Sequence, residues 1–404
     1  MVLIKEDNLA ICNFPIGRIV EVFPGKDGRV RPTGRYSKNR ARPQKPDKFL
    51  TPLLALRTQN LKTYRHNRVV FGLTSSPFLL AATLNHLLNA VPGHLSEISR
   101  ILKDSFYIDN SLVSSDQIEE TEKFISEAKE ILSSAHFNLR CWLSNMSVPM
   151  IDSTESKPQS VPVLGLIWDT QKDTLNCKIT EPVQMKESYT KRQILSATHK
   201  IYDPIGFTAP LTLIPKLILQ QTRIQKIKWD QQLPPNLSKH FSTWIKQLDL
   251  LPKIEIPRWL NIDYQNEYIT ILHIFSDASK QAFATCAFLR TENKEGVQVQ
   301  LVNTGSRVAP IKEMTIPRLE LLSCLIGARL ARTILTDLSI VEHTSTALGW
   351  MRRDQAWGTF VHNRVQEIRT STKISDWKHV PGKYNPADLP SRGCSFEQLM
   401  ESRW

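Results

Sequence analysis

From residue 268 onward the chain carries a pattern that few architectures satisfy. YITILHIFSDAS, AFATCAFLR and VQLVNTGSR read as three successive strands. A long helical stretch follows over 316–337, then helical patterns near 346–352 and 358–370, and a strand at DWKHV. Each apolar face must be covered by another layer, so this order defines an α/β or α+β layer fold. Carboxylates interrupt the apolar pattern at three places. Asp277 closes HIFSDAS, Glu320 lies inside IPRLELLSCLIGARLA, and Asp388 sits in NPADLPSRG. Each has an ordinary role open to it. Asp277 suits a turn after a strand, Glu320 a pair with Arg318 or Arg329 at a helix edge, and Asp388 a helix N-cap. Converging on one point, the three would instead form an oxygen cage for Mg²⁺ or Mn²⁺. Two such ions roughly 3.5–4 Å apart stabilise both the attacking and the leaving oxygen of a phosphodiester cleavage.

Composition narrows the setting. A chain of 404 residues has room for two or three domains with proper cores. Its hydrophobic share of 41% is that of ordinary globular protein, but its net charge of +13 is not. That excess fits a polyanionic partner, most simply nucleic acid. Cys12, Cys141, Cys177, Cys286, Cys324 and Cys394 are scattered without a C-x-x-C pair, which reads as buried free thiols in a reducing compartment. The start, MVLIKEDNLAI, lacks the apolar core of a signal peptide, and FTAPLTLIPKLILQQ is cut by Pro210, Pro215 and Lys216. A soluble intracellular protein without membrane association is therefore expected.

The remaining chain divides by composition. Residues 1–30 alternate short apolar runs with the turn dipeptides Pro24-Gly25 and Asp27-Gly28, the mark of small antiparallel β-structure. From Arg29 to Lys48 stand eight Lys or Arg, one acid and three prolines. Arg29, Arg31, Arg35, Lys38, Arg40 and Arg42 make this either a solvated linker or a tail that binds nucleic acid. FLLAATLNHLLNAV and QIEETEKFISEAKEILSSA have helical periodicity, whereas FYIDNSLVS, FNLRCWLSN and VPVLGLIWD read as strands. Residues 190–250 are mostly helical around a break at YDPIGFTAP, with Trp229, Trp244 and the Leu248–Leu251 stretch as core candidates.

Taken in order, RHNRVVFGLTSSPFLLAATL, FYIDN, FNLRCWLSN, VPVLGLIWD, KRQILSATHKIYDPIGFTAPL, HIFSDAS, IPRLELL and NPADLPSRG resemble the Pol polyprotein of BEL/Pao-type LTR retrotransposons. Residues 2–31 resemble the small β-rich domain that follows the integrase core, displaced here to the front. The resemblance implies a multidomain α+β and α/β chain. Its parts are an integrase-tail-like, β-barrel-like segment (1–31), a basic linker (32–60), a partial reverse-transcriptase palm (61–168), a helical connection (169–265) and an RNase H-like mixed sheet with helices (266–397).

For the polymerase region it implies that Asp109, in YIDN, takes the first place of the family's paired aspartates, with Asn110 at the second. Ser75 and Ser76, in FGLTSSP, lie where template and nucleotide are contacted, and LGLIW (164–168) where the primer is gripped. The strand with the other catalytic aspartate should precede residue 60, where only Asp7, Asp27 and Asp47 stand, in unrelated contexts. One carboxylate cannot assemble a two-metal site, so no polymerase activity is expected.

For the RNase H region, Asp277, Glu320 and Asp388 take the first, second and fourth acid positions. His379, in the loop before the last acid, is placed to shuttle a proton. The third position, in HTSTALGW, holds His343, and imidazole is a poor Mg²⁺ ligand. Only about Ser339–Val341 remain for the strand before it, fewer residues than the roughly 5–6 of an ordinary strand. The ancestral activity implied is Mg²⁺-dependent cleavage of RNA in RNA–DNA hybrids, defective in this chain. The alternatives are a non-catalytic nucleic-acid-binding protein and a non-functional relic of a mobile element.

Overall fold

The computed structural model describes residues 2–5, 50–52, 63–65, 74–108, 110–151, 158–177, 184–262, 269–294, 296–340, 342–346, 358–402 and 404. The chain separates into two compact units, Met1–Lys157 and Pro158–Trp404.

In the first unit, β1 (Val2–Lys5) and a hairpin of β2 (Leu50–Pro52) and β3 (Thr63–Arg65) precede α1 (Ser76–Asn89) and α2 (Ser96–Ser105). Then come β4 (Phe106–Tyr107), β5 (Asn110–Val113), α3 (Ile118–Ser134) and β6 (Leu143–Ser144). The helices meet along apolar stripes at helical spacing. Leu88, Leu95, Ile98, Leu102, Phe124, Ala128 and Ile131 form their common core. The sheet order is β4-β5-β1-β6, with Val2 opposite Val113 and Lys5 opposite Asn110. Val2–Lys5 thus form an added strand of this sheet, paired with β5 and β6, where small antiparallel β-structure within 1–30 was expected. The rest of 1–31 lies outside the described residues. FNLRCWLSN, expected as a strand, pairs only over Leu143–Ser144, because its one neighbour there is the four-residue β1. Helix α2 was not expected from the sequence.

The second unit opens with β7 (Ser160–Val163), β8 (Leu166–Asp169) and β9 (Thr174–Cys177), which join β10 (Glu255–Pro257) in the order β10-β9-β8-β7. VPVLGLIWD is therefore a hairpin and not one strand. Leu164 and Gly165 both have positive φ, 48° and 86°, the pair that a tight two-residue turn between twisted strands requires. Helices α4 (Lys191–His199), α5 (Ala209–Ile224) and α6 (Pro235–Lys246) follow. A capping box of Thr190 and Gln193 starts α4. The break before α5 is closed by Asp203, whose carboxylate accepts from the Gly206 and Thr208 amides and the Thr208 hydroxyl at 2.6–2.7 Å. Trp244 is buried as expected, but Trp229 is 47% exposed.

A five-stranded sheet completes the unit, in the order β13-β12-β11-β14-β15. Its strands are β11 (Ile269–Ala278), β12 (Ala282–Asn293), β13 (Gly296–Val308), β14 (Glu342–Thr346) and β15 (Trp377–Lys378). The first three pair antiparallel, while β14 runs parallel to β11 and β15 parallel to β14. Helix α7 (Ile316–Asp337) makes the crossover from β13 to β14, and α8 (Thr359–Ser371) packs on it through Leu321, Leu325, Val361 and Val365. Short helices α9 (Asp388–Arg392) and α10 (Phe396–Glu401) end the chain.

Alternation along β11 buries Leu272, Ile274, Ser276 and Ala278. That face meets α7 at Gly327, where a Cβ would come within 2.9 Å of Ile274 and Ser276. The other face is covered from the C-terminal side: Phe275, Phe288, Ala387 and Trp404 form one cluster. With helices on both faces, β12 shows a nearly unbroken buried run rather than alternation. The helical region and the tail share a core as well, since Phe207, Phe241 and Trp244 cluster with Cys394, Phe396 and Leu399.

Three expectations change here. The fourth strand of this sheet is not short: it begins later, at Glu342, and runs five residues. DWKHV contributes only Trp377 and Lys378 to a ladder. Among the cysteines, Cys177, Cys286, Cys324 and Cys394 are buried free thiols, whereas Cys141 is exposed. The helical pattern near 346–352 lies outside the described residues beyond Thr346.

Candidate functional site

Asp277 stands one residue before the end of β11, on the side of the strand that faces away from α7. Its carboxylate accepts a 2.5 Å hydrogen bond from the Ser391 hydroxyl on α9. Asp388 opens that five-residue helix and accepts from Arg392 Nε at 2.5 Å, one turn along. Three further bonds fix α9 against the sheet end. Asn385 Nδ2 donates to the Ser276 carbonyl at 3.0 Å, Ser279 Oγ to the Ser391 carbonyl at 2.8 Å, and Ser306 Oγ to the Pro390 carbonyl at 2.6 Å. NPADLPSRG is thus a clamp. Asn385 and Ser391 hold the loop and helix to β11, and Arg392 neutralises Asp388. Ser391 and Arg392 fall three and four residues after Asp388, the spacing that puts side chains on one helix face; that spacing was the available signal for their roles.

Glu320 is exposed, in the second turn of α7. Burial raises the Asp277 carboxyl above its ordinary value; the Ser391 hydrogen bond opposes this, the negative charge of Asp388 adds to it, and the positive charge of Arg392 opposes it. Although its side chain reaches solvent, partial desolvation raises the Glu320 carboxyl, and the charge of Asp277 raises it further. The field therefore links Asp388 to Asp277 and Asp277 to Glu320, and the three acids predicted from sequence share one end of the sheet.

Other residues fall elsewhere. His343 pairs in register with Leu272. That is five residues short of Asp277, roughly 17 Å along the strand, so the structure does not bring residue 343 to the acids. His379 is exposed just after β15. Ser75 is the N-cap position of α1 and Ser76 its first residue. Asp109 lies outside the described residues, as do Arg29, Arg31, Arg35, Lys38, Arg40 and Arg42.

The acids supply hard oxygen donors of the type that Mg²⁺ prefers. Ser391 bonds one oxygen of Asp277 and Arg392 one oxygen of Asp388, and among the described residues no three His, Cys, Asp or Glu side chains are grouped to hold a metal.

Residues 190–350 match the family model of the Pao retrotransposon-like RNaseH-like domain, a stretch running from the start of α4 past β14. The region is a mixed α/β, RNase H-like fold. No curated protein matches the chain. Among solved structures, the chain is similar to a foamy viral protease–reverse transcriptase in complex with RNA/DNA hybrid. That similarity has 17% identity and a TM-score of 0.45, and covers 81% of this chain and 40% of that one. It is also similar to the N-terminal RNase H domain of a Mycobacterium tuberculosis protein (9% identity, TM-score 0.23, 33% of this chain and 98% of that one). RNase H1 from Halobacterium salinarum gives 11% identity and a TM-score of 0.20, with 33% and 98% covered. The chain spans well under half the length of the foamy viral one. Among the described residues no helix is long and apolar enough to cross a membrane.

Proposed function

We propose that the second unit is a retrotransposon-derived RNase H-like module that binds RNA–DNA hybrid and whose hydrolytic site is incomplete. The observation that carries this reading is the linked trio at one sheet end, Asp388 to Asp277 to Glu320, inside and beside the stretch matched by the Pao family model. An ordinary structural acid gains a counter-charge on folding. Asp277 is raised chiefly by burial and also by the charge of Asp388, against the pull of Ser391 and Arg392, a setting common where a cation or a proton is part of the working state. A net charge of +13 supports a polyanionic partner.

Incompleteness is supported by two features. Arg392 sits on Asp388, and residue 343 stands level with Leu272 rather than with Asp277. In the first unit, Asp109 is proposed as a lone remnant of a polymerase pair. The basic segment of 29–42 is proposed as an auxiliary contact to nucleic acid.

The test is hybrid binding and hybrid cleavage by the full chain, with Mg²⁺ and then Mn²⁺. Salt-sensitive binding with at most trace cleavage is expected, and Asp277→Asn should remove the trace while binding persists. Vigorous cleavage that ignores Asp277 sinks the site assignment, and absence of any hybrid binding sinks the function.

A further inference from the structure

Away from the acids, helices α4 and α5 and the chain just beyond β13 enclose an open cleft of 560 Å³. Three of its lining residues are cations, Lys191, Lys216 and Arg223, and none is an acid. The nearby carboxylates are engaged elsewhere. Asp230 pairs with Arg192 through two bonds of 2.7 and 3.0 Å, and Asp203 is used by the amides and hydroxyl that start α5. Among the described residues neither Lys216 nor Arg223 forms an ion pair. Lys216 is partly buried, and that burial lowers its pKa against the opposing pull of Asp203. Lys191 lies 4.7 Å from the centroid of the Trp229 ring, which is itself 47% exposed. Opposite, residues 308–311 form an apolar wall tied down by the Gln220 amide, which donates to the Ala309 carbonyl at 2.5 Å.

A partly buried Lys216 set beside Lys191 and Arg223, with no acid lining the cleft, favours an anion joining the three. An exposed tryptophan beside them offers a flat surface for a planar ring. Ion pairs elsewhere in this unit neutralise their cations, as Arg258 with Asp173 and Arg329 with Glu367.

We infer that the cleft bounded by Lys191, Lys216, Arg223 and Trp229 is a second nucleic-acid contact that receives backbone phosphate, with Trp229 facing the adjoining sugar or base. This rests on the hybrid-binding reading of the unit. Position supports it: Asp277 is opposite Ala284, Ala284 opposite Ser306, and the cleft wall begins two residues on, at Val308. Acids and cleft therefore lie toward the same end of the sheet, separated by two strand spacings, roughly 10 Å. Phosphates of one strand advance about 3.4 Å per nucleotide along a duplex axis. A strand lying at the acids would reach the cleft about three nucleotides away.

The test measures fluorescence anisotropy of a labelled RNA–DNA hybrid with the full chain across a salt series. Arg223→Glu, an exposed change that leaves the core untouched, should weaken binding about tenfold and flatten the log–log salt slope by about one. Lys216→Met should flatten the slope by a similar amount. Arg329→Gln, which removes a cation already paired with Glu367, matches Lys216→Met in charge change and should leave affinity within about twofold. Hybrid should also quench the part of the emission that Trp229→Phe removes. If wild type binds hybrid and both cleft variants bind equally well with the same slope, the cleft is not a contact, and the function stands without it. If wild type binds no hybrid, both fall. Competition by polyglutamate as effective as that by single-stranded DNA at equal charge would overturn the nucleic-acid assignment.

Discussion

The hairpin at Tyr107–Asn110 and the end of β11 each follow the sequence pattern of an acid emerging from an apolar run, yet the protein supports them very differently. Strand β4 has two residues and a single partner, and Tyr107 and Ile108 at the turn are 57% and 48% exposed. Strand β11 has ten residues, a partner on each side, and packed layers on both faces. An acid can be held in an unfavourable electrostatic setting only where the surrounding structure over-determines its position. The second region does this with α9, whose carbonyls are tied to Ser279 and Ser306. In the first, the side-chain bond beside the turn joins the Ser105 and Ser111 hydroxyls, at 2.7 Å.

The largest test of that contrast is truncation of an aromatic in each region. Phe288→Ala removes a ring that packs edge-on against both Phe275 and Trp404, and should cost about 3–5 kcal/mol. Tyr107→Ala should stay within about 0.5 kcal/mol. Urea unfolding of the two variants decides it, and comparable losses would erase the distinction. A smaller effect is expected one layer away. At Gly327 a new Cβ meets Ile274, Ser276 and, at 3.0 Å, Thr285, all on the sheet. Gly327→Ala should therefore lift α7 and cost about 1–3 kcal/mol; a neutral or stabilising result would mean that the contact is slack.

Smaller again is the dependence on pH, and its sign follows from the direction of the shifts. Asp277 and Glu320 hold their protons more tightly in the folded protein than their ordinary values of 3.8 and 4.5 imply. Above those values the unfolded chain has released protons that the folded one still binds. Stability from these groups is full below the ordinary values and is lost as pH rises through the raised ones. Asp277→Asn removes one such group and relieves the other, so its stability profile should be flatter just above pH 4.5 than that of wild type. A steeper profile would mean that the acids are not coupled as described.

How much of this could be read from sequence depends on what fixes each element. Long periodic stretches were legible: helix α7 runs over the span its apolar spacing predicts, and strands β11 to β13 lie where alternation and β-branched runs placed them. Features set by a partner were not. Leu164-Gly165 turns inside an unbroken apolar run, so no polar punctuation marked it. FNLRCWLSN alternates like a strand but finds only a short neighbour. Trp229 reads as core by residue type, yet it borders a cleft of cations drawn from helices and the end of a strand. The acids were legible because a carboxylate in an apolar context stands out locally. Ser391 and Arg392, which hold them, look like ordinary turn residues.

The least effect is expected at residue 343, where sequence and structure disagree most sharply. Motif order puts His343 where the third carboxylate belongs, and on that basis His343→Asp would raise hybrid cleavage. In the sheet, however, residue 343 is level with Leu272, and the paired register runs only to Ser345 opposite Ile274. A parallel register of this kind is set by the length and seating of the α7 crossover, which local motifs do not encode. An acid at 343 would lie too far along the strand to share an ion with Asp277, since direct oxygen ligands stand within about 2.6 Å of the metal. His343→Asp should therefore leave Mg²⁺-dependent cleavage at the wild-type level while Asp277→Asn still abolishes it. A clear gain from His343→Asp, lost again in the double variant, would show that β14 slides by several residues when hybrid binds.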